Sequence, residues 1–155
     1  MSPAIIRPIE VNDKRAWLEL WHQYYDMFNS TLAPEVTETT FNRFLNPDLR
    51  IYCAVATASI GMENEQSKVV GFVTYYPHIT TNSIDDKVYM QDLFVSPDAQ
   101  GRGIGKQLVT YVYEQARRMH ACSVYWISAH DNHSAQAMYA KIGDKTDQVV
   151  WKKVL

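Results

Sequence analysis

The chain of 155 residues is poor in cysteine and in long apolar runs, and each shortage excludes a class of protein. Its two cysteines, Cys53 and Cys122, are too few for a disulfide framework and form no CxxC motif. No segment reaches the roughly 20 apolar residues of a membrane-spanning helix. The first 15 residues lack the apolar core of a signal peptide. We therefore predict a cytoplasmic or nuclear protein in which both cysteines are reduced and buried, with no membrane partner.

The chain also lacks an excess of positive charge. Its 15 Lys and Arg residues face 17 Asp and Glu residues, for a net charge of −2 at pH 7. Proteins that bind duplex nucleic acid usually carry a basic patch, so we expect no direct nucleic-acid partner. His130 and His133 are spaced to share a metal ion, but a third ligand is missing, and we expect no metal site.

A chain of this length fits one domain, residues 1–155. Strand and helix patterns alternate along it, which favours the α/β class. The patterns predict strands at 4–9, 50–58, 69–76, 88–95, 123–128 and 148–155. They predict helices from about 13 to 28, at 35–45, from the glycine segment to about 120, and at 132–142.

Glycine is also scarce, yet three of the six glycines fall within residues 101–105. A glycine-rich turn that opens a helix is typical of an anion site, because free amides and the helix dipole point at the ligand. The nucleotide P-loop, GxxxxGK[ST], does not match, since Gln107 follows Gly105-Lys106. The dinucleotide fingerprint, GxGxxG, does not match either, because its last glycine would be Lys106 or Leu108.

The pattern that does match is Q/R-x-x-G-x-G/A, on Gln100, Gly103 and Gly105. It resembles the acyl-CoA motif of the GNAT superfamily of N-acetyltransferases. The resemblance continues in a preceding strand that ends in V-x-P and in an N-x6-Y-x3-G pattern, and the order of elements is similar over essentially the whole chain. The segments AWLELWHQYYDMF, PEVTETTFNRFL and YMQDLFV look like those of small fungal members described as histone, polyamine or D-amino-acid acetyltransferases.

The resemblance implies a fold and a cosubstrate. The fold would be an α/β GNAT fold, whose mixed, mostly antiparallel sheet is splayed between strands 4 and 5 and flanked by helices. Acetyl-CoA would lie in the splay, with pantetheine on the Phe94 and Val95 backbone and near Asn132, and with an oxyanion on the Leu93 N–H. Its pyrophosphate would lie on a loop of seven residues: Gln100, Gly101, Arg102, Gly103, Ile104, Gly105 and Lys106.

The resemblance also implies catalytic residues. Tyr139 would protonate the departing CoA thiolate, whose thiol has a pKa of about 8.5. The base is less clear, because polyamine acetyltransferases have a glutamate where this chain has Gln91. Asp92 is the next candidate, but strand alternation places it on the opposite face from Gln91 unless a bulge shifts the register. A water chain to Asp92 or to one of three histidines, His78, His130 or His133, is an alternative.

These observations predict an acetyl-CoA-dependent N-acetyltransferase in which a primary amine attacks directly within a ternary complex. Polyamine, the lysine side chain of a histone-like tail and free amino acid all remain open as acceptors. The alternative is a binding module that senses acyl-CoA without turnover, which the loss of a glutamate at Gln91 favours. The apolar last strand, residues 148–155, has an edge that another copy of the chain would pair, so we expect a homodimer or a higher oligomer.

Overall fold

The computed structural model describes residues 3–61 and 66–155. Short 3-10 turns lie at Val11–Asp13 and Pro97–Ala99. The strands are β1 Ile5–Pro8, β2 Tyr52–Ala58, β3 Lys68–His78, β4 Lys87–Val95 and β5 Ser123–Trp126. The helices are α1 Lys14–Asp26, α2 Pro34–Leu45, α3 Ile104–Arg118 and α4 His133–Tyr139.

The five strands form one sheet in the order β1-β2-β3-β4-β5. The first four strands pair antiparallel, whereas β4 and β5 pair in parallel through the α3 crossover. One face of the sheet packs on α3, whose Leu108 and Val112 are fully buried. The other face packs on α1 and α2 around Trp17 and Phe41. The predicted α/β arrangement, a mixed and mostly antiparallel sheet flanked by helices, is therefore confirmed.

Strand β4 separates from its parallel neighbour halfway along its length. It pairs with β5 only from Lys87 to Met90, while its residues 92–95 pair only with β3. The predicted splay between strands 4 and 5 is therefore present. Because the second half of β4 has no strand partner on one side among the described residues, its backbone groups there are available to bind a ligand.

The predicted strand at residues 148–155 is wrong. These residues are not paired into the sheet, and Val149, Trp151 and Leu155 are exposed. The prediction depended on a run of β-prone side chains, and β-propensity takes effect only where a partner strand and a face to bury exist. The outer edge of β5 has no partner strand among the described residues.

Smaller differences concern element ends and one cysteine. Helix α4 is shorter than the predicted last helix, because the carbonyls of Tyr139 and Met138 accept turn hydrogen bonds from the amides of Gly143 and Lys141.

Cys53 is buried in the sheet as predicted, but Cys122 is exposed. Cys122 directly precedes β5 and is exposed there, so the apolar residues near it in the sequence were a poor guide to its burial.

No helix within residues 3–61 and 66–155 combines the length and the apolar character needed to cross a bilayer.

Candidate active site

The loop between β4 and α3 is shaped by two glycines with left-handed backbone. Gly101 has φ +75° and Gly103 has φ +74°, a region that side chains with a Cβ rarely adopt. A Cβ on either glycine would meet no atom of the described residues within 4 Å. Glycine is therefore needed at these two positions because the backbone turns through the left-handed region, and not because a neighbouring group packs closely. The space above both glycines is open.

The first turn of α3 presents unpaired amides to this open space. The earliest helical hydrogen bond runs from the Gln107 amide to the Gly103 carbonyl, 3.1 Å away. The amides that precede Gln107 in the first turn therefore have no partner in the helix. Together with the positive end of the helix dipole, they fit a phosphate group.

Two predicted loop residues use their side chains to hold the loop in place. Gln100 Nε2 donates to the Val95 carbonyl at 2.9 Å, which ties the loop to the end of β4. Arg102 Nη1 donates to the Ser59 carbonyl at 3.0 Å, beyond the end of β2. Ile104 is buried under the loop, and Lys106 is exposed. Gly105 allows α4 to approach, because a Cβ there would lie 3.3 Å from Met138 Sδ.

The side chains of the free half of β4 belong to the core. Phe94 packs on the α1 side, and Leu93 and Val95 pack toward α3. Only their backbone atoms remain for a ligand in the splay, as the resemblance implies.

Asp92 is a buried carboxylate in the middle of β4, with 6% of its surface exposed. It completes a row with Cys53 and Thr74 across β2, β3 and β4. Burial raises the pKa of Asp92 to about 6, although the nearby hydroxyls of Thr74 and Tyr24 oppose the rise. Thr74 Oγ1 is itself buried without a hydrogen-bond partner of good geometry. At neutral pH this carboxylate is ionised and basic enough to accept a proton.

A β-bulge brings Gln91 and Asp92 to the same face. Thr74 pairs with Asp92 and Tyr75 pairs with Met90, so Gln91 is an extra residue in β4. Its Oε1 accepts a 3.0 Å hydrogen bond from the Tyr76 hydroxyl, and the charge of Asp92 also acts on Tyr76. Of the two arrangements that the sequence left open, the structure has the shifted register.

Tyr139 lies on α4, where its ring packs edge-on against Trp126 with centroids 5.4 Å apart. Burial raises its pKa, so the phenol keeps its proton well into the alkaline range. Gly143 makes this packing possible, because a Cβ there would lie 2.6 Å from the Trp126 ring. Asn132 caps the same helix, with its Oδ1 accepting from the Ala135 amide at 3.2 Å.

Tyr24 is a site residue that sequence reasoning missed. Burial, the charge of Asp92 and the phenols of Tyr25 and Tyr139 all raise its pKa. Its hydroxyl therefore lies near both Asp92 and Tyr139, although the three residues come from α1, β4 and α4. In the sequence Tyr24 is one of several aromatic residues on the buried face of a helix, and that pattern gives no sign of its hydroxyl's role.

The histidines proposed as alternative bases are less well placed. His78 is engaged by its neighbours, with Nε2 2.7 Å from the Tyr125 hydroxyl and Nδ1 2.8 Å from the Ile79 carbonyl. His130 and His133 are exposed. In the part of the chain that the structure describes, no three His, Cys, Asp or Glu side chains come together as metal ligands would.

The splayed strand, the glycine loop and the buried carboxylate adjoin one another along β4 and the start of α3. A comparison of the sequence with models of protein families identifies the family of the chain. A model described as the acetyltransferase (GNAT) family matches residues 15–144. The chain belongs to the GNAT family. It is therefore an N-acetyltransferase that acetylates an amine, with acetyl-CoA as its cosubstrate.

Individual relatives agree with this membership. A D-amino-acid N-acetyltransferase of Saccharomyces cerevisiae is 36% identical over 149 residues, which are 96% of this chain and 89% of that protein. A thialysine N-epsilon-acetyltransferase of Mus musculus is 33% identical over 92 residues, 57% of this chain and 53% of that protein. The GNAT fold is also that of AAC(6')-Iy in complex with a bisubstrate analogue, with a TM-score of 0.79, 19% identity and 99% of each chain covered.

Proposed function

We propose that the chain acetylates the amino group of a free amino acid, by direct attack of the amine on acetyl-CoA in a ternary complex. The observation that carries the proposal is that the charge of Asp92 and the phenol of Tyr139 both act on Tyr24, while Asp92 itself lies on the half of β4 that β5 leaves unpaired. A base and an acid would then lie close to a thioester bound along that strand.

The donor would be held mainly by backbone atoms. The amides from Gln100 to Lys106 would bind its pyrophosphate, and the Phe94 and Val95 backbone would bind its pantetheine arm. The open space above the two left-handed glycines fits a phosphate at this position. The Leu93 N–H would donate to the oxygen of the acetyl group as negative charge develops there. Asn132 would keep its capping role beside the pantetheine arm.

Proton transfer would run in opposite directions on the two sides of the acetyl group. An acceptor amine with a pKa of about 10 arrives protonated at pH 7. Asp92, ionised above pH 6, would take its proton either directly or through a water molecule near Tyr24. As the C–N bond forms and the C–S bond breaks, Tyr139 would give its proton to the CoA thiolate. The second N–H proton, which the nitrogen loses on becoming an amide, would then reprotonate Tyr139 through solvent.

The choice of a free amino acid rests on charge and on the relatives. Gln91 is neutral where polyamine acetyltransferases have a glutamate, so Asp92 is the carboxylate that acts on the cleft tyrosines. A single carboxylate can pair with one ammonium group of the acceptor, whereas a polyamine carries several ammonium groups that would need carboxylate partners. The yeast and mouse relatives are both named for amino-acid acceptors.

An amine panel scored by thiol release tests the proposal. It includes D- and L-amino acids, spermidine and a lysine-containing histone-like peptide, each with saturating acetyl-CoA. We expect release with free amino acids at a kcat/KM well above that for spermidine and the peptide. A preference for spermidine or for the peptide would contradict the acceptor class. Acetyl-CoA binding without any thiol release would favour the acyl-CoA sensor instead.

We further propose that a second copy of the chain covers the C-terminal segment, although that segment is not a strand of its own sheet. Val149, Val150 and Trp151 are exposed by two thirds or more, and the outer edge of β5 has no partner strand among the described residues. Sedimentation should show a dimer or a higher oligomer for the wild type and a monomer for Val149→Lys/Trp151→Lys. Lys153→Gln is the control. A monomeric wild type would contradict this proposal.

A further inference from the structure

Three tyrosines form a continuous strip on the sheet beside Asp92. Tyr76 on β3 and Tyr89 on β4 meet edge to face, with ring centroids 5.6 Å apart. Tyr89 and Tyr125 on β5 lie 5.0 Å apart and are tilted by 32°. The strip ends at His78, whose Nε2 lies 2.7 Å from the Tyr125 hydroxyl. We call these three residues, Tyr76, Tyr89 and Tyr125, the tyrosine strip.

The strip is not part of either hydrophobic core. All three rings are partly exposed, and Tyr125 leaves 40% of its surface open. Sheet positions that face water usually carry polar or charged side chains, and one exposed aromatic residue needs no explanation. Three that touch in a row across three strands form an apolar surface of the kind that marks a binding site.

The position of the strip relative to the bulge identifies the side of the site to which it belongs. The Tyr76 hydroxyl donates to Gln91 Oε1, directly beside Asp92. Tyr89 precedes Asp92 along β4, whereas the glycine loop follows the other end of the strand. At about 3.3 Å per residue, the strip begins within about 10 Å of the carboxylate and extends away from the loop. It therefore lies on the acceptor side.

We infer that the tyrosine strip binds the side group of the acceptor, and that the acceptor is an amino acid with a flat aromatic side chain whose ammonium group lies at Asp92. This inference rests on the proposed function. Tyrosine rings offer a large, rigid contact surface that favours offset or edge-to-face packing with another ring. A small side chain such as that of alanine would leave most of the strip uncovered.

A cationic side chain is the competing occupant, because ammonium groups also bind aromatic faces. The carboxylate whose charge acts on Tyr76 and Tyr89 is Asp92, which the reacting amine already requires. A second ammonium on the strip would thus lose its hydration without gaining a carboxylate partner. The charge distribution therefore favours an aromatic group over a lysine-like one.

Product binding tests the strip without any need for turnover. Calorimetry in the presence of CoA would compare N-acetylphenylalanine, N-acetylalanine and Nα-acetyllysine, each as both enantiomers. We expect N-acetylphenylalanine to bind about 10-fold or more tightly than N-acetylalanine in its better enantiomer, as one aromatic contact allows. Equal affinities, or tighter binding of Nα-acetyllysine, would overturn the inference.

Variants at Tyr125 separate the ring from its hydroxyl. Tyr125→Ala removes a ring at the open end of the strip and should abolish most of the preference for N-acetylphenylalanine, while N-acetylalanine binding changes less than about 2-fold. Tyr125→Phe keeps the ring, loses only the hydrogen bond to His78, and should retain the preference. A preference that survives in Tyr125→Ala, with thermal unfolding showing an intact fold, would overturn the role of the strip.

Thiol release on the same proteins distinguishes the two proposals. If phenylalanine is acetylated faster than alanine by the wild type and not by Tyr125→Ala, both proposals are supported. If no amino acid causes thiol release but the binding preference holds and depends on Tyr125, the proposed acceptor reaction is wrong and the role of the tyrosine strip in binding is supported. If amino acids react without any aromatic preference, the proposed reaction is supported and the role of the strip is overturned.

Discussion

The two halves of strand β4 serve the site by different physical means. After the bulge, residues 93–95 and the following loop offer backbone groups, while the Leu93, Phe94 and Val95 side chains pack in the cores. At and before the bulge, Gln91, Asp92 and Tyr89 offer side chains. The donor side is thus built from a local backbone shape and the acceptor side from chemistry gathered from several elements.

The two sides would bind chemically different groups. A pyrophosphate needs amides and open space, and in the proposed donor site two left-handed glycines and a helix start supply them. An amine needs a base and a matching surface, and in the proposed acceptor site these involve Tyr24 from α1, Tyr76 from β3 and Tyr125 from β5. Variants on each side should therefore fail in different ways.

The largest effect is expected from Tyr139→Phe, which removes the proposed acid and keeps the ring that packs on Trp126. Loss of general acid assistance should lower kcat by about 10²–10⁴-fold, while acetyl-CoA affinity by calorimetry stays unchanged. Because burial raises the pKa of Tyr139, any alkaline fall in wild-type rate should come above pH 10 and disappear in the variant. A variant with wild-type kcat would mean that Tyr139 only packs.

Asp92→Asn should remove the proposed base and act on the opposite limb of the pH profile. Wild-type kcat/KM should rise through a pH of about 6 as Asp92 ionises. The variant should lose that limb, with activity about 10²-fold or more below wild type at pH 7, and recover partly at high pH, where the amine deprotonates by itself. An unchanged acid limb would assign the base to another group.

The same substitution should stabilise the protein at neutral pH. The pKa of Asp92 is about 6 in the fold and 3.8 in its ordinary state, so the folded protein binds more protons between these values. Stability from this group is therefore full below pH 3.8 and lost as pH rises through about 6. Asp92→Asn should raise the free energy of unfolding by about 2–3 kcal/mol at pH 7 and by much less at pH 4. Denaturant unfolding at both pH values measures this difference. An equal change in the free energy of unfolding at the two pH values would argue against a raised pKa of Asp92 in the fold.

Gly103→Val tests the donor side. Its side chain would enter the open space above the loop, and φ +74° strains any residue with a Cβ. Losing one charge-assisted hydrogen bond of about 1.5–3 kcal/mol should weaken acetyl-CoA binding about 10-fold or more, with little effect on product preference at the strip. Gly103→Asn, which tolerates this backbone better, should lose less. Full affinity in Gly103→Val would remove the loop from the donor site.

The smallest effect is expected from Gln91→Glu. The bulge places residue 91 on the same face as Asp92, so a second carboxylate should raise the pKa of Asp92 further and move the acid limb upward. Spermidine should become a better acceptor by roughly a few-fold, since surface-exposed charge pairs contribute little. Gln91→Met, which adds no charge, is the control. No change in either property would place Gln91 outside the acceptor site.

Much of the donor side could be predicted from the sequence because its determinants are adjacent along the chain. Gln100, Gly103 and Gly105 form one short motif, which runs as expected from the loop after a strand into the first turn of a long helix. The acceptor side could not, because its residues are brought together only by the sheet. Tyr24 looked like a core residue, and the tyrosine strip is spread over 50 positions, from residue 76 to residue 125.

The sequence by itself determined the elements and the glycine loop, because helical periodicity and left-handed glycine backbone are local properties. Only the tertiary structure decided which side chains face the amine. The bulge at Gln91 is a property of how β4 pairs with β3, and one extra residue reverses every side chain beyond it. Only the tertiary structure, likewise, left residues 148–155 outside the sheet, because a strand needs a partner and none of the described residues pairs with that segment.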